Sequence, residues 1–366
     1  MKRILCILSS LDAGGAETFI MKVNRVLPPE EIQVDFIVSV ADGCYTQEVL
    51  DRGGRIYKIP MRTQDFMGAF RGIQSVVREN QYNSVLKLGE NSLAIIDLIA
   101  AKLGGAKVLA LRSCNAPTGM TTNAKCIHAL LKPLVNWVST VKLAPSGLAA
   151  DFMFGKRHTC KDVHLLHNGV DLNVFHFDAD GRRKIREEFS LSDQLVVGHV
   201  GRFHAQKNHR YLLEVFQKIR EQRSDAVLLL VGIGDLEQKI RGWARELGLE
   251  EAVIFAGQRF DIPQLLSAMD VFVFPSLHEG MPNTVVEAQA TGLPCVIADT
   301  ITPEADLTGL VTYLPLAENK EDWVKTALSV AAQERRDPHD AFIAKGYDIK
   351  SVAKEFVAVL GVESVR

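Results

Sequence analysis

Much of what would assign this chain quickly is missing from it. Its six cysteines (Cys6, Cys44, Cys114, Cys126, Cys160 and Cys295) include no C-x-x-C pair. That argues against a zinc ribbon or a disulfide framework and for a reducing, cytoplasmic setting. No apolar run reaches a bilayer-spanning length. The run behind Lys2 and Arg3 is only strand-length, and no signal-cleavage pattern follows it. Any membrane contact is therefore expected to be peripheral. The net charge of -2 gives no reason to expect a nucleic-acid partner. There is no internal repeat and no low-complexity tract. The first strand-to-helix turn is not G-x-G-x-x-G, which leaves a dinucleotide-dependent dehydrogenase as the weakest reading. No Ser/His/Asp arrangement can be placed from spacing. His164 and His167 alternate along an extended segment and point to opposite faces, so they make a poor metal pair.

What is present is a globular composition, 47% hydrophobic and 23% charged over 366 residues, long enough for two domains. The two halves differ in charge. Residues 1–165 hold 20 Lys+Arg against 14 Asp+Glu, and the remainder 22 against 30. The basic half would suit an anionic membrane surface or a phosphorylated acceptor, although ordinary surface variation explains it equally well. Short apolar strands alternate with amphipathic helices, the pattern of an α/β protein with parallel sheets. In the first series, strands are expected at 3–9, 34–40, 55–59, 84–88, 107–112 and 141–144, and helices at 16–26, 67–79, 91–103 and 124–137. In the second, strands are expected at 195–200, 226–231, 253–255, 271–274 and 295–298, and helices at 209–222, 235–247 and 262–268. Two such series imply two Rossmann-like domains, 1–168 and 169–349, facing across a cleft, with ligands at the strands' carboxyl ends. Residues 167–181 have turn chemistry and read as the crossing between them. Asp178-Ala-Asp180 resembles a metal-holding D-x-D but reads better as part of that polar linker. A final helix near 350–360 buries Val352, Phe356, Val359 and Leu360 on one face.

Four strand-to-helix loops could carry chemistry. In Pro275-Ser-Leu-His278-Glu279-Gly280-Met281-Pro282-Asn283-Thr284-Val-Val-Glu287, two carboxylates flank a glycine-bearing loop and a helix start. Backbone N–H groups and a helix's positive end suit a phosphate, and carboxylates accept from hydroxyls. The plain alternative for Glu287 is a capping box with Thr284. In Val200-Gly201-Arg202-Phe203-His204-Ala205-Gln206-Lys207-Asn208-His209, Gly201 lets backbone approach a ligand while Arg202 and Lys207 neutralise a diphosphate. His204 and His209 read as surface. In Ser10-Leu-Asp12-Ala13-Gly14-Gly15-Ala16-Glu17, the paired glycines permit a ligand or merely a compact helix entry. In Val231-Gly232-Ile-Gly234-Asp235, Asp235 reads as an N-cap and Gly232 as lining the cleft.

The two-domain series, the Arg202/Lys207 loop and the Glu279-x7-Glu287 run resemble the retaining glycosyltransferases of family 4, which have the GT-B fold. The likeness covers nearly the whole chain. Gly14-Gly15-Ala16-Glu17-Thr18, Asp151-Phe-Met-Phe-Gly155-Lys156, His167-Asn-Gly-Val-Asp171, Gln206-Lys-Asn-His209 and Glu287-Ala-Gln-Ala-Thr-Gly-Leu-Pro-Cys295 are similar to the EpsF-like branch that builds exopolysaccharide or capsule units. The resemblance implies that Arg202 and Lys207 bind the donor diphosphate and that Glu279 holds sugar hydroxyls. It implies that Gly280, Met281, Pro282 and Asn283 approach sugar and phosphate, that Glu287 holds the ribose, and that the loop 256–259, with Arg259, meets the base. Gly14 and Gly15 would face the donor phosphate, and the last helix (350–366) would pack back on the first domain.

One departure is plain. Where that branch often carries Ser-His-Asn, this chain has Arg112-Ser113-Cys114-Asn115, so no catalytic role is carried to that loop. Cys114 is not expected to be a nucleophile, because an unactivated thiol is mostly neutral. The expected activity is transfer from a nucleotide-sugar, UDP-linked, to a saccharide acceptor such as a lipid-linked repeat unit at the inner membrane face. No metal and no cofactor are expected, the donor being a substrate. The alternatives are a nucleotide-sugar epimerase, which needs no acceptor, and a non-catalytic nucleotide-sugar-binding protein. Sequence does not indicate the sugar or the oligomeric state.

Overall fold

The computed structural model describes residues 1–12, 14–114, 121–156 and 162–362. Ala13, Asn115 and Cys160 lie outside the described residues, as does the end of the expected 350–366 tail. The chain divides into two compact units, Met1–Gly169 with the segment from Gly346 onward, and Val170–Lys345. The division falls close to the 168/169 and 349/350 lines drawn from sequence.

The first unit is a seven-stranded sheet. Its strands are β1 (Lys2–Ile7), β2 (Ile32–Val38), β3 (Ile56–Lys58), β4 (Ser84–Gly89), β5 (Val108–Ser113), β6 (Val141–Ala144) and β7 (Val163–Leu165). They run in the order β3-β2-β1-β4-β5-β6-β7, all parallel. Helices cover both faces, which is why β1 reads as an unbroken apolar run. Strand alternation sends Ile4 and Cys6 into one core with Phe19 and Ile20 of the helix Gly15–Val26. Leu5 and Ile7 enter the other, with Ile73 and Val77 of the helix Phe66–Glu79.

The last helix, Ile349–Val359, belongs to this unit. Asp348 caps it by accepting from Ser351 N at 3.1 Å. Its apolar face buries Val352 and Phe356, followed by Leu360, in the same core as Phe19. Gly169 is where the chain passes this helix. A Cβ there would stand 2.9 Å from Ile349 Cα.

The second unit is a six-stranded parallel sheet of β8 (Val196–Val200), β9 (Val227–Val231), β10 (Val253–Gly257), β11 (Val271–Phe274), β12 (Cys295–Ala298) and β13 (Val311–Leu314), in the order β10-β9-β8-β11-β12-β13. From β8 the chain crosses to β9 on one side, and from β11 to β12 on the other. The order therefore reverses between β8 and β11, and the loops at their carboxyl ends diverge.

Three sequence expectations change. The second strand ends at Val38, because Ser39 and Val40 both turn back to donate to Ser9 O. The 167–181 crossing is helical from Ala179. Asp178 accepts from Gly181 N at 2.9 Å and Asp180 pairs with Arg183 in the first turn, so the D-x-D pair is a helix start. Asp235 does not cap its helix, which starts at Glu237 without a side-chain cap.

Phe356→Ala should destabilise the first unit by about 3–5 kcal/mol, through lost apolar burial and the cavity left behind. The readout is an earlier urea transition for that unit. A loss below about 1 kcal/mol would mean the helix does not depend on this core.

Candidate active site at the β8–β11 switch point

The loop after β8 is held from below by backbone. Gly201 N donates to Val231 O and Phe203 N to Ile233 O, each at 2.9 Å. These bonds need close approach from the β9 side. Gly232 has φ +138°, and a Cβ on it would sit 2.2 Å from Gly201 O. A Cβ on Gly234 would sit 2.5 Å from Phe203 O. Gly232 therefore buttresses Gly201 from the β9 side. Phe203 is fully buried and anchors the loop. A short turn, Ala205–Lys207, then leads through Asn208 into the helix His209–Gln222.

The loop after β11 begins buried, at Pro275 and Ser276, and is tied to the β12 end. Thr300 Oγ1 donates to Ser276 O at 2.9 Å, and Glu279 forms a parallel bridge with Ile301. Pro282 then opens the helix Asn283–Ala290, and no side chain caps that helix. The positive end of that helix's aligned peptide dipoles therefore lies at the loop that follows Glu279.

Three contacts join the two loops. Leu277 N donates to Gln206 O at 2.9 Å. Gln206 Nε2 donates to His278 O at 2.7 Å. Lys207 Nζ lies 2.6 Å from Glu279 Oε1, with the two side chains only 17% and 12% exposed. The ammonium also stands 4.5 Å over the Phe274 ring. A cation and a carboxylate thus share one mostly enclosed spot, where charge-assisted bonds are strong.

Beneath this pair sit two histidines. His199, on β8, bonds Val273 O through Nδ1 at 3.0 Å, and its ring lies 4.9 Å from that of His209. Burial pushes His209 down to about 4, with Lys207 nearby adding to the effect. Burial, then His209 and Lys207, holds His199 well below its ordinary value. Both rings are neutral at pH 7, so the floor adds no charge that competes with Lys207. The sequence expectation of a surface His209 is corrected: it is 2% exposed. The missed signal is its spacing with Leu212, Leu213 and Phe216, one apolar helix face. His204 is exposed, and its Nδ1 accepts from Gln206 N at 3.4 Å.

The fold thus brings Lys207 and Glu279 into contact and sets Gly201 and Arg202 on the same loop as Lys207. The Arg202 side chain is exposed. Gly280, Met281, Pro282 and Asn283 follow Glu279 directly, and the space where a Gly280 side chain would stand is open. Glu287 lies half-buried inside the helix. The capping box, the plain alternative for Glu287, does not form, because Pro282 takes the cap position and Thr284 Oγ1 has no hydrogen-bond partner. Arg259 is committed elsewhere. Its guanidinium makes four bonds of 2.5–2.9 Å to Asp261 and Glu188, which raise its affinity for a proton further. Gln206 was quoted in a sequence motif without a role, and it proves to be the side chain that staples the two loops.

In the first unit, Gly14 and Gly15 open the helix Gly15–Val26. A Cβ on Gly14 would stand 2.3 Å from Glu17 Oε2, the movable end of a side chain that folds back over this turn. Burial pushes that carboxyl up. Gly15 has open space around it. Burial raises the Cys114 thiol to about 11, so it is no nucleophile at neutral pH. Arg112 is fully buried and donates to Leu166 O at 3.0 Å and Asn168 Oδ1 at 2.6 Å, with its guanidinium 3.5 Å over Phe19. It ties β5 to the chain just ahead of Gly169.

The buried histidines set a pH dependence. A histidine whose folded pKa lies below its unfolded 6.5 gains its proton more readily when unfolded, so stability present above 6.5 is lost as pH falls toward about 4. His209→Leu should flatten the decline in urea midpoint over that window. Equal slopes in parent and variant would contradict the assignment.

Residues 194–333 match the family model "Glycosyl transferases group 1". Over 361 residues the chain is 35% identical to the putative glycosyltransferase EpsF of Bacillus subtilis (strain 168), covering 95% of this chain and 93% of that protein. It is 37% identical over 303 residues to UDP-Gal:alpha-D-GlcNAc-diphosphoundecaprenol alpha-1,3-galactosyltransferase of Escherichia coli, covering 78% and 76%. Among solved structures, Anabaena Alr3699/HepE in complex with UDP superposes with a TM-score of 0.81 at 18% identity, covering 99% of this chain and all of that one. Its two parallel-sheet α/β domains are those of the GT-B glycosyltransferases. With near-complete coverage by a 35% identical relative, the chain belongs to the group 1 glycosyltransferase family.

Proposed function

We propose that the protein moves a sugar from a UDP-linked donor to a lipid-linked saccharide at the inner membrane face, with retention at the anomeric carbon and without a metal. The observation that carries this reading is the Lys207–Glu279 pair at the β8–β11 switch point, beside a helix start that no side chain caps. The ammonium and the helix amides suit a diphosphate, and the adjacent carboxylate suits sugar hydroxyls. Support for uridine comes from the Escherichia coli relative, whose name specifies UDP-Gal, and from Alr3699/HepE, solved with UDP and with UDP-glucose. The lipid-linked acceptor follows the diphosphoundecaprenol in the name of the same Escherichia coli relative.

In this reading the bond between the sugar's anomeric carbon and the diphosphate breaks, and a bond from that carbon to an acceptor oxygen forms. The acceptor hydroxyl's proton passes to the departing diphosphate, whose growing negative charge is met by Lys207 and Arg202. Glu279 orients the sugar through its hydroxyls, Gly201 and Gly280 leave room for close approach, and Glu287 holds the ribose. Catalysis is then mainly positioning and charge neutralisation. Arg202 and Lys207 do the neutralising work that a divalent cation performs in other sugar-transferring sites.

A thermal-shift screen against UDP-, GDP- and ADP-sugars identifies the donor, since binding to the folded state alone raises its melting point. Transfer to a lipid-diphosphate saccharide is then measured for Glu279→Gln, Lys207→Met and Arg202→Ala. Each should lose about 100-fold or more in kcat/KM, the scale of removing one charge-stabilising group. Folded variants that transfer sugar at the parent rate would refute the site.

A further inference from the structure

The loop after β8 passes into its helix through one left-handed residue. Among the described residues, three other than glycine have positive φ: Gln81 and Ser190 at 55° and Asn208 at 54°. Gln81 and Ser190 follow the caps that end the helices Phe66–Glu79 and Ala179–Glu188. That is the usual place for a left-handed residue, because it lets the last carbonyls of a helix be satisfied. Asn208 is placed differently. It ends the Ala205–Lys207 turn, its N–H donating to Ala205 O at 3.1 Å. It also begins the helix His209–Gln222, its carbonyl accepting from Leu212 N at 3.2 Å. A residue at a helix start ordinarily has extended backbone and caps the first amides with its side chain. Asn208 has φ +54° and ψ +46°, and its side chain makes no cap bond. Capping does not account for an asparagine here. The left-handed conformation does, since asparagine enters it far more readily than most side chains.

We propose that Asn208 is a positioning residue for the Lys207–Glu279 site, and that it acts through its backbone. The left-handed step interrupts the helical path, so the residues on its two sides meet different neighbours. Before it, Gln206 and Lys207 reach the β11 loop, at His278 O and Glu279 Oε1. After it, His209, Leu212, Leu213 and Phe216 are buried on the core side of the helix. A residue in the ordinary helical region would run the short turn on into the helix, and Lys207 would leave its partner. A left-handed residue other than glycine persists only where its surroundings over-determine it. Here the turn is held by the Leu277 N bond to Gln206 O, and the helix by its buried face.

The test compares Asn208→Gly, Asn208→Val and Ser190→Val with the parent. Glycine keeps the left-handed backbone and removes the amide, whereas valine is forced out of that conformation. Ser190→Val sets the same backbone conflict at an exposed position of the same unit, outside the site. Acetylation of Lys207 by an N-hydroxysuccinimide ester is quantified first, by mass spectrometry and without substrate. Parent, Asn208→Gly and Ser190→Val should react alike, and Asn208→Val at least about tenfold faster, because its ammonium has lost Glu279. Transfer from a UDP-sugar is measured next. Asn208→Val should raise the donor KM and lower kcat/KM by about 100-fold, the scale of a misplacement of about 1 Å, with Asn208→Gly within about twofold of the parent. Thermal melting checks folding, and Ser190→Val should lose stability without either defect. If Asn208→Val does not fold, Asn208→Ala, a milder conflict, is read in its place. Equal Lys207 reactivity in the parent and Asn208→Val overturns the proposal. An Asn208→Gly variant with reactive Lys207 or slowed transfer also overturns it, in favour of the amide side chain. The same defects in Ser190→Val overturn it in favour of a general loss of stability. The kinetic arm rests on the transfer reading. Labelling is read without turnover, so its failure leaves that reading standing, and a parent without transfer leaves the labelling decisive.

Discussion

Lys207 and Glu279 come from loops that follow non-consecutive strands, and nothing local in either loop would keep a lysine or a glutamate pointing inward. Each is held by the other at 2.6 Å. Part-buried charges of this kind persist only as a pair, since either one alone would keep its desolvation cost without the attraction. The pair therefore sets where the β8 loop stops, and Gln206 fixes the same two loops again through its bond to His278 O. Beside the pair lies a helix start that no side chain caps, so a cation, a carboxylate and the positive end of a helix meet at these strand ends.

The pair depends on a floor that contributes shape without charge. Gly232 and Gly234 let β9 backbone come up under Gly201 and Phe203, closer than any side chain would allow. His199, which bonds Val273 O, and His209 fill the level below, both neutral because burial disfavours their protonated forms. A charged histidine there would repel Lys207 and weaken its hold on Glu279. Arg259 is a cation paired differently: four of its five N–H donors go to the Asp261 and Glu188 carboxylates.

Much of this was legible in sequence, for identifiable reasons. The alternation of apolar runs with amphipathic helices determined the α/β class and nearly all the central strands, because parallel strands buried on both faces leave a strong signal. Glu279 and Lys207 stood out because they follow strand ends, the place where α/β sheets collect ligands. Their mutual contact was not legible, since pairing across 72 positions depends on strand order, not on spacing. The Thr284–Glu287 capping box failed because Pro282 took the cap position, a competition that spacing alone does not resolve. Asp178 and Asp180 were read as linker because turn residues and N-caps use the same side chains. His209 was misplaced because a polar residue name outweighed its position on an apolar helix face.

The central claim is that Lys207 and Glu279 act on the donor as one unit. Calorimetric affinity for the UDP-sugar, measured on the parent, Lys207→Met, Glu279→Gln and the double variant, tests it most directly. If each residue positions the other, the double variant should lose little more than either single variant, a coupling of about 1 kcal/mol or more. Losses that simply add, to within about 0.5 kcal/mol, would show that the two residues meet the donor independently and would contradict the account.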